Sequence, residues 1–125
     1  MQTLESYLPT PVRLRRKGGV VIQDCDIYVG RAQHQGGWHL DSSIWANPYK
    51  VAKDGALDEV CTKYYWYVRG RPDLMTQLPE LYGKRLGCWC DIVEQHRPLL
   101  DRLNRPQCHA EVLMRLAHDQ LSRVG

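Results

Sequence analysis

The tightest constraint lies near the C-terminal end, where G-C-W-C-D occupies positions 87–91 and C-H-A-E-V-L occupies 108–113. In an extended strand, residues two apart face the same side, so Cys88 and Cys90 point one way while Trp89 points the other. Cys108 and His109 open an apolar-periodic run and stand in the first turn of a helix. A strand ending in C-x-C that faces a helix beginning C-H sets three sulfurs and one imidazole nitrogen around a point at tetrahedral distances. A fold that uses all four must bring segment 84–90 against a helix start near 108.

Two other readings compete. Free cysteines are among the most buried residue types, and Cys88 and Cys90 could be small core hydrophobes. A redox pair is the second, but a C-x-C disulfide closes a strained ring and gives His109 no role. Two thiols in phase plus a C-H pair favour a metal over both. Zinc is the default for three thiolates and an imidazole in a chain without another cofactor signature. An iron–sulfur cluster accepts the same ligand types. Cys25 and Cys61 read as structural. Five cysteines, an odd count, argue against a complete disulfide framework. H-A-E at 109–111 copies a short zinc-deaminase sequence in which Glu carries protons, so Glu111 is the catalytic candidate if the metal acts. Four protein ligands would close the coordination sphere, which favours a structural ion.

A chain of 125 residues, 43% hydrophobic and 25% charged, can bury a core without disulfides. No apolar run has the length of a membrane span, and the opening M-Q-T-L-E-S-Y-L-P-T lacks a secretory core. An intracellular protein with reduced thiols and no membrane partner is expected. The net charge is +3, and twelve of the seventeen basic residues are Arg, whose planar fork suits phosphate and carboxylate.

Residues 1–11 read as an N-terminal arm and 12–125 as one small domain. V-R-L-R-R-K at 12–17 reads as an edge strand and G-G at 18–19 as a turn, with V-V-I at 20–22 and D-I-Y-V-G at 26–30 as strands entering the sheet. Residues 31–51 are irregular and rich in Gly, Trp, Ser, Asn and Pro; so long a loop is usually functional. Leu57, Val60, Cys61, Tyr64, Tyr65 and Val68 form one helical stripe, with Asp54 as its N-cap and Gly70 at its end. A short helix over 71–78, a strand over 84–90, a helical turn around Leu99–Leu103 and a last helix from Cys108 complete an α/β or α+β domain, a short mixed sheet with helices packed on it.

The loop carries a second constellation, W-H-L-D-S-S-I-W-A-N-P-Y-K at 38–50, after Y-V-G-R at 28–31. A strand ending in Gly30-Arg31 and feeding a long loop builds sites at a sheet's carboxyl edge. Arg31, Ser42, Ser43, Asn47 and Lys50 supply donors for phosphate or carboxylate. Trp38, Trp45 and Tyr49 supply faces on which a base can stack. The competing reading gives the two Trp residues the job of covering the core edge.

Y-V-G-R, S-I-W-A-N-P-Y-K, L-P-E-L-Y-G-K-R-L-G-C-W-C and C-H-A-E-V-L together resemble a family of small domains of unknown function found in phages, bacteria and large DNA viruses. The resemblance covers roughly 26–117, and its C-W-C…C-H signature is its specific part. Relatives carry only a few residues between the two clusters, whereas residues 91–107 are longer here. The resemblance implies the architecture and a phage or viral setting, and no activity.

The expected function is a small zinc-binding domain with a site for a nucleotide or nucleic acid. A zinc-dependent hydrolase or deaminase using Glu111 is the enzymatic alternative, and a metal-stabilised interaction module, such as a homodimer joined through its aromatic surface, is the third.

Overall fold

Parallel pairing dominates the sheet. A computed structural model describes residues 4–90 and 97–124. Among them, β1 (Thr10–Arg13), β5 (Arg85–Cys88) and β4 (Ile27–Tyr28) form a sheet in the order β1-β5-β4, with β5 parallel to both neighbours. The last strand in sequence is therefore the central one. Leu86, Gly87 and Cys88 are buried, as a strand covered on both faces requires. Gly87 has a steric reason to be glycine: a Cβ there would lie 2.5 Å from Cys25 Sγ.

β2 (Arg15–Lys17) and β3 (Val20–Gln23) pair antiparallel across Gly18-Gly19, both at positive φ. V-V-I therefore does not enter the main sheet. It pairs with its nearest neighbour in sequence, and Val20, Val21 and Ile22 are exposed. Parallel and antiparallel pairings thus occupy separate sheets in this mixed α/β fold. The expected edge strand over 12–17 breaks at Leu14, which is buried, and its first half belongs to β1. The expected arm is also partly built in. Leu4–Tyr7 forms a helical turn (α1), Leu8 and Pro9 are buried, and Leu8 packs with Leu103 and Met114.

The main helix α2 spans Leu57–Arg69 and buries Val60, Cys61, Tyr64 and Val68 from the expected stripe. Asp58 and Glu59 complement the dipole of its first turn and Arg69 that of its last. It starts later than Asp54 predicts. Asp54 Oδ2 accepts from the Lys50 amide at 2.9 Å, closing the loop, and the cap falls on Ala56, whose N–H donates to Glu59 Oε1. Helix α3 (Pro72–Gln77) begins on its proline and runs into a 3-10 turn over Leu78–Leu81. Helix α4 (Leu99–Asn104) and helix α5 (His109–Val124) finish the described chain. Residues 91–96 of the lengthened connection lie outside the described residues. α5 packs on β1 and β5, and on α2 and α4, so its first turn meets the carboxyl edge of the sheet. Among the described residues no helix is long and apolar enough to cross a membrane.

Candidate metal centre and adjoining pocket

Cys88 ends β5, Cys90 lies two residues past it, and Cys108 immediately precedes α5. Their three sulfurs lie within 4.8 Å of one another, and Cys88 and Cys108 are 3.7 Å apart. Three thiolates at about 2.3 Å from a tetrahedral zinc are about 3.8 Å apart, so the cluster has close to the span of a metal-loaded one. None of the five cysteines is in a disulfide. Cys88 and Cys108 are almost wholly buried, and the thiols share charge unequally. Hydrogen bonds from Cys108 and Cys90 hold Cys88 as the anion, far below the usual thiol range. Bonding to Cys88 pushes the Cys108 thiol up; at Cys90 a bond with Cys108 pulls down, but bonding to Cys88 and burial together outweigh it and push the thiol to about 12. The negative charge therefore rests on the strand cysteine rather than on Cys108, where the helix N-terminus alone would put it.

His109 is not part of the sulfur group. Neither ring nitrogen lies within 4.8 Å of all three sulfurs, and Nε2 donates to the Val29 carbonyl at 2.8 Å. The ring stands edge-on to Tyr64, and burial holds its pKa below the ordinary value. Nε2–H is fixed by a partner that can only accept, so the neutral ring keeps its lone pair on Nδ1. Of the four expected ligands, the structure brings together three.

Glu111 is fully buried and committed elsewhere. Oε2 accepts from Arg102 Nε at 2.8 Å, while Oε1 accepts from Arg97 Nη1 at 3.2 Å and from the Gln107 amide at 2.9 Å. Both oxygens are taken by donors that clamp α4 and its flanks onto α5, so this geometry gives no support to a proton-carrying Glu111.

Because β4 and β5 are parallel, both release their chains at the same edge. A cavity of about 380 Å³ opens there. Gly30 and Arg31 border it after β4, and Trp89 and Cys90 after β5. Cys108 and His109 border it from the start of α5, and Asn47 and Lys50 from the long loop. The thiol cluster and part of the loop constellation, far apart in sequence, thus share one pocket at the position where open parallel sheets hold ligands.

The loop residues divide into those that build and those left over. Arg31 braces the loop, with Nε and Nη2 donating to the Asn47 carbonyl at 3.1 and 2.7 Å and Nη2 to the Tyr49 carbonyl at 2.9 Å. Asn47 Oδ1 accepts from the Tyr49 amide and Ser43 Oγ from the Trp45 amide, both local turns. Ser42 and Ser43 border a second cavity, of about 460 Å³, together with Arg31 and Arg71.

Trp45 is no stacking platform. It is buried in the core, and its carbonyl accepts from Tyr64 Oη at 2.6 Å, which pins the loop to α2. Trp38 also stands apart from the 380 Å³ cavity, edge-on to Trp89 at 5.3 Å with the Arg16 guanidinium over it. Trp89 is the aromatic that sequence reasoning missed. β5 stops at Cys88, so strand alternation no longer turns Trp89 away, and its indole donates to Tyr28 Oη at 2.7 Å. Cys61 also borders the cavity, but burial pushes its thiol to about 11, consistent with an inert packing role.

No solved structure matches the chain. It is similar to the Uncharacterized protein R718 of Acanthamoeba polyphaga mimivirus, 38% identical over 108 residues that cover 86% of this chain and 78% of the relative. The model of one family, Domain of unknown function (DUF4326), matches residues 12–119, from the first strand through most of α5, and the chain belongs to that family.

Proposed function

We propose that this domain holds a zinc ion on Cys88, Cys90 and Cys108 and receives a phosphate-bearing, nucleotide-like ligand in the cavity beside it. One observation carries the reading: the convergence of three reduced sulfurs from β5, its continuation and the start of α5 within 4.8 Å of one another. Thiolate-rich donor sets favour zinc among the common divalent ions. The ligand half is supported by the cavity itself. Its volume lies in the range of small-molecule sites, and it borders a helix start, where anions are favoured. Among the described residues, neither Arg31 Nη1 nor Lys50 Nζ has a hydrogen-bond partner, so both retain donors for an anion.

Elemental analysis of protein purified without added metal tests the reading. About one zinc per chain is expected, lost in Cys90→Ser and Cys108→Ser, with a sharp fall in melting temperature after chelation. Metal-free protein with unchanged stability would refute it.

A further inference from the structure

Resting on the zinc reading above, we infer that the metal centre is open, and that its fourth coordination place is taken by the cavity's own ligand. That ligand is a small molecule with a metal-binding donor at one end and an anionic group at the other.

Three observations point this way. The described chain brings only three donors together, and tetrahedral zinc takes four. The histidine best placed by sequence to be the fourth is oriented by Val29 O and stands outside the group. Two of the three cysteines, Cys90 and Cys108, also form the wall of the 380 Å³ cavity, while Cys88 lies fully buried. A fourth donor arriving from the cavity meets the ion without displacing core side chains.

The same cavity tells what else the ligand carries. Arg31 and Lys50 border it with unspent donors, and among the described residues no carboxylate lines it. Its remaining surface is largely apolar, with Leu57, Val60 and Trp89. An apolar or aromatic body, one soft donor and one anionic end match that wall. Structural zinc with four protein ligands has no need of a cavity at its edge; a centre that binds a ligand does.

Cobalt(II) replacement tests this without requiring an activity. Cobalt in a thiolate site has visible bands that shift when a ligand enters its coordination sphere. The probes are 3-mercaptopropionate and 6-mercaptohexanoate, which carry a thiolate and a carboxylate on short and longer stems, and propanethiol, which lacks the anion. The expected result is a saturable band shift with at least one thiol acid, about tenfold tighter than with propanethiol, a difference of about 1.4 kcal/mol. That preference should fade in Arg31→Gln and with added salt. Arg31 also braces the loop, so Lys50→Met, which removes an exposed side chain without a partner among the described residues, provides the second variant.

Bands that no thiolate moves, in protein loaded with one cobalt per chain, would mean that the protein fills the fourth place and would overturn the inference while leaving the metal assignment intact. Equal affinity for propanethiol and both thiol acids would overturn the anionic half. Failure to bind cobalt or zinc at all would remove both readings together.

Discussion

Replacing Glu111 by Gln separates a structural carboxylate from a catalytic one. Glu111 is sealed from solvent, and Arg97 and Arg102, its partners, are themselves mostly buried. Gln keeps the shape and one acceptor oxygen, which can still take the Gln107 amide and Arg97 Nη1. The amide NH2 then faces Arg102 Nε–H, donor against donor, at a separation that is now 2.8 Å. Among the described residues Arg102 Nη2 has no partner in its buried position, so its guanidinium would lose the carboxylate it rests on. Breaking a buried ion pair from one side costs about 3–5 kcal/mol; Arg102 loses its carboxylate here, while Arg97 keeps Asp101 at 2.9 Å. For a chain of this length each kcal/mol lowers the melting temperature by about 3–5 °C, so a fall of about 10–20 °C is expected. Urea denaturation and thermal melting measure it, with zinc content as the control. Full zinc occupancy at permissive temperature with lost stability fits the clamp. A Glu111→Gln protein that melts within about 2 °C of the parent would refute the reasoning.

Two further outcomes follow from the geometry. Gly87→Ala would set a methyl 2.5 Å from Cys25 Sγ and 3.1 Å from Leu14 Cδ2, and overpacking of this kind costs about 1–3 kcal/mol by urea titration. Cys25→Ala should relieve only part of the loss, because Cys25 Cβ would still lie 2.9 Å away, and a fully additive double mutant would contradict the contact. Zinc affinity should rise with pH. Cys88 is already the anion, whereas Cys90 and Cys108 have raised thiol pKa values and must each release a proton on binding. Affinity measured by chelator competition between about pH 6 and 8 should therefore climb by about two decades per pH unit, and a slope below one would refute the protonation pattern.

Much of the fold was legible because the periods were clean. The α2 stripe, the proline start of α3 and the core of the strand expected over 84–90, observed as Arg85–Cys88, follow from the local sequence. V-V-I misleads because β-branched apolar residues signal a strand without saying what it pairs with, and the diglycine turn gave it a neighbour at once. The convergence of the three sulfurs was readable from the C-x-C and C-H spacing, although Cys90 reaches the cluster from beyond the strand, where the i, i+2 rule no longer holds. The position of His109 was not, since the acceptor that orients it, Val29 O, is 80 residues away. Trp45 and Trp38 were indistinguishable in sequence, and only packing against Tyr64 sends one into the core. Glu111 looked like chemistry because its two guanidinium partners sit in the connection, where no periodicity announces them.

The placement of β5 between β1 and β4 governs the order of assembly. β1 and β4 have no ladder with each other, so neither finds its hydrogen-bonding mate until the segment around Leu86 arrives. The bond from the Leu14 amide to the Cys88 carbonyl closes a loop from position 14 to position 88, whose closure entropy must be overcome before that contact stabilises anything. Until then the N-terminal two thirds can pair only β2 with β3. The same stroke that slots the final strand home carries Cys88 to its place, so the sulfur cluster waits on that strand before Cys108 can join it from the start of α5.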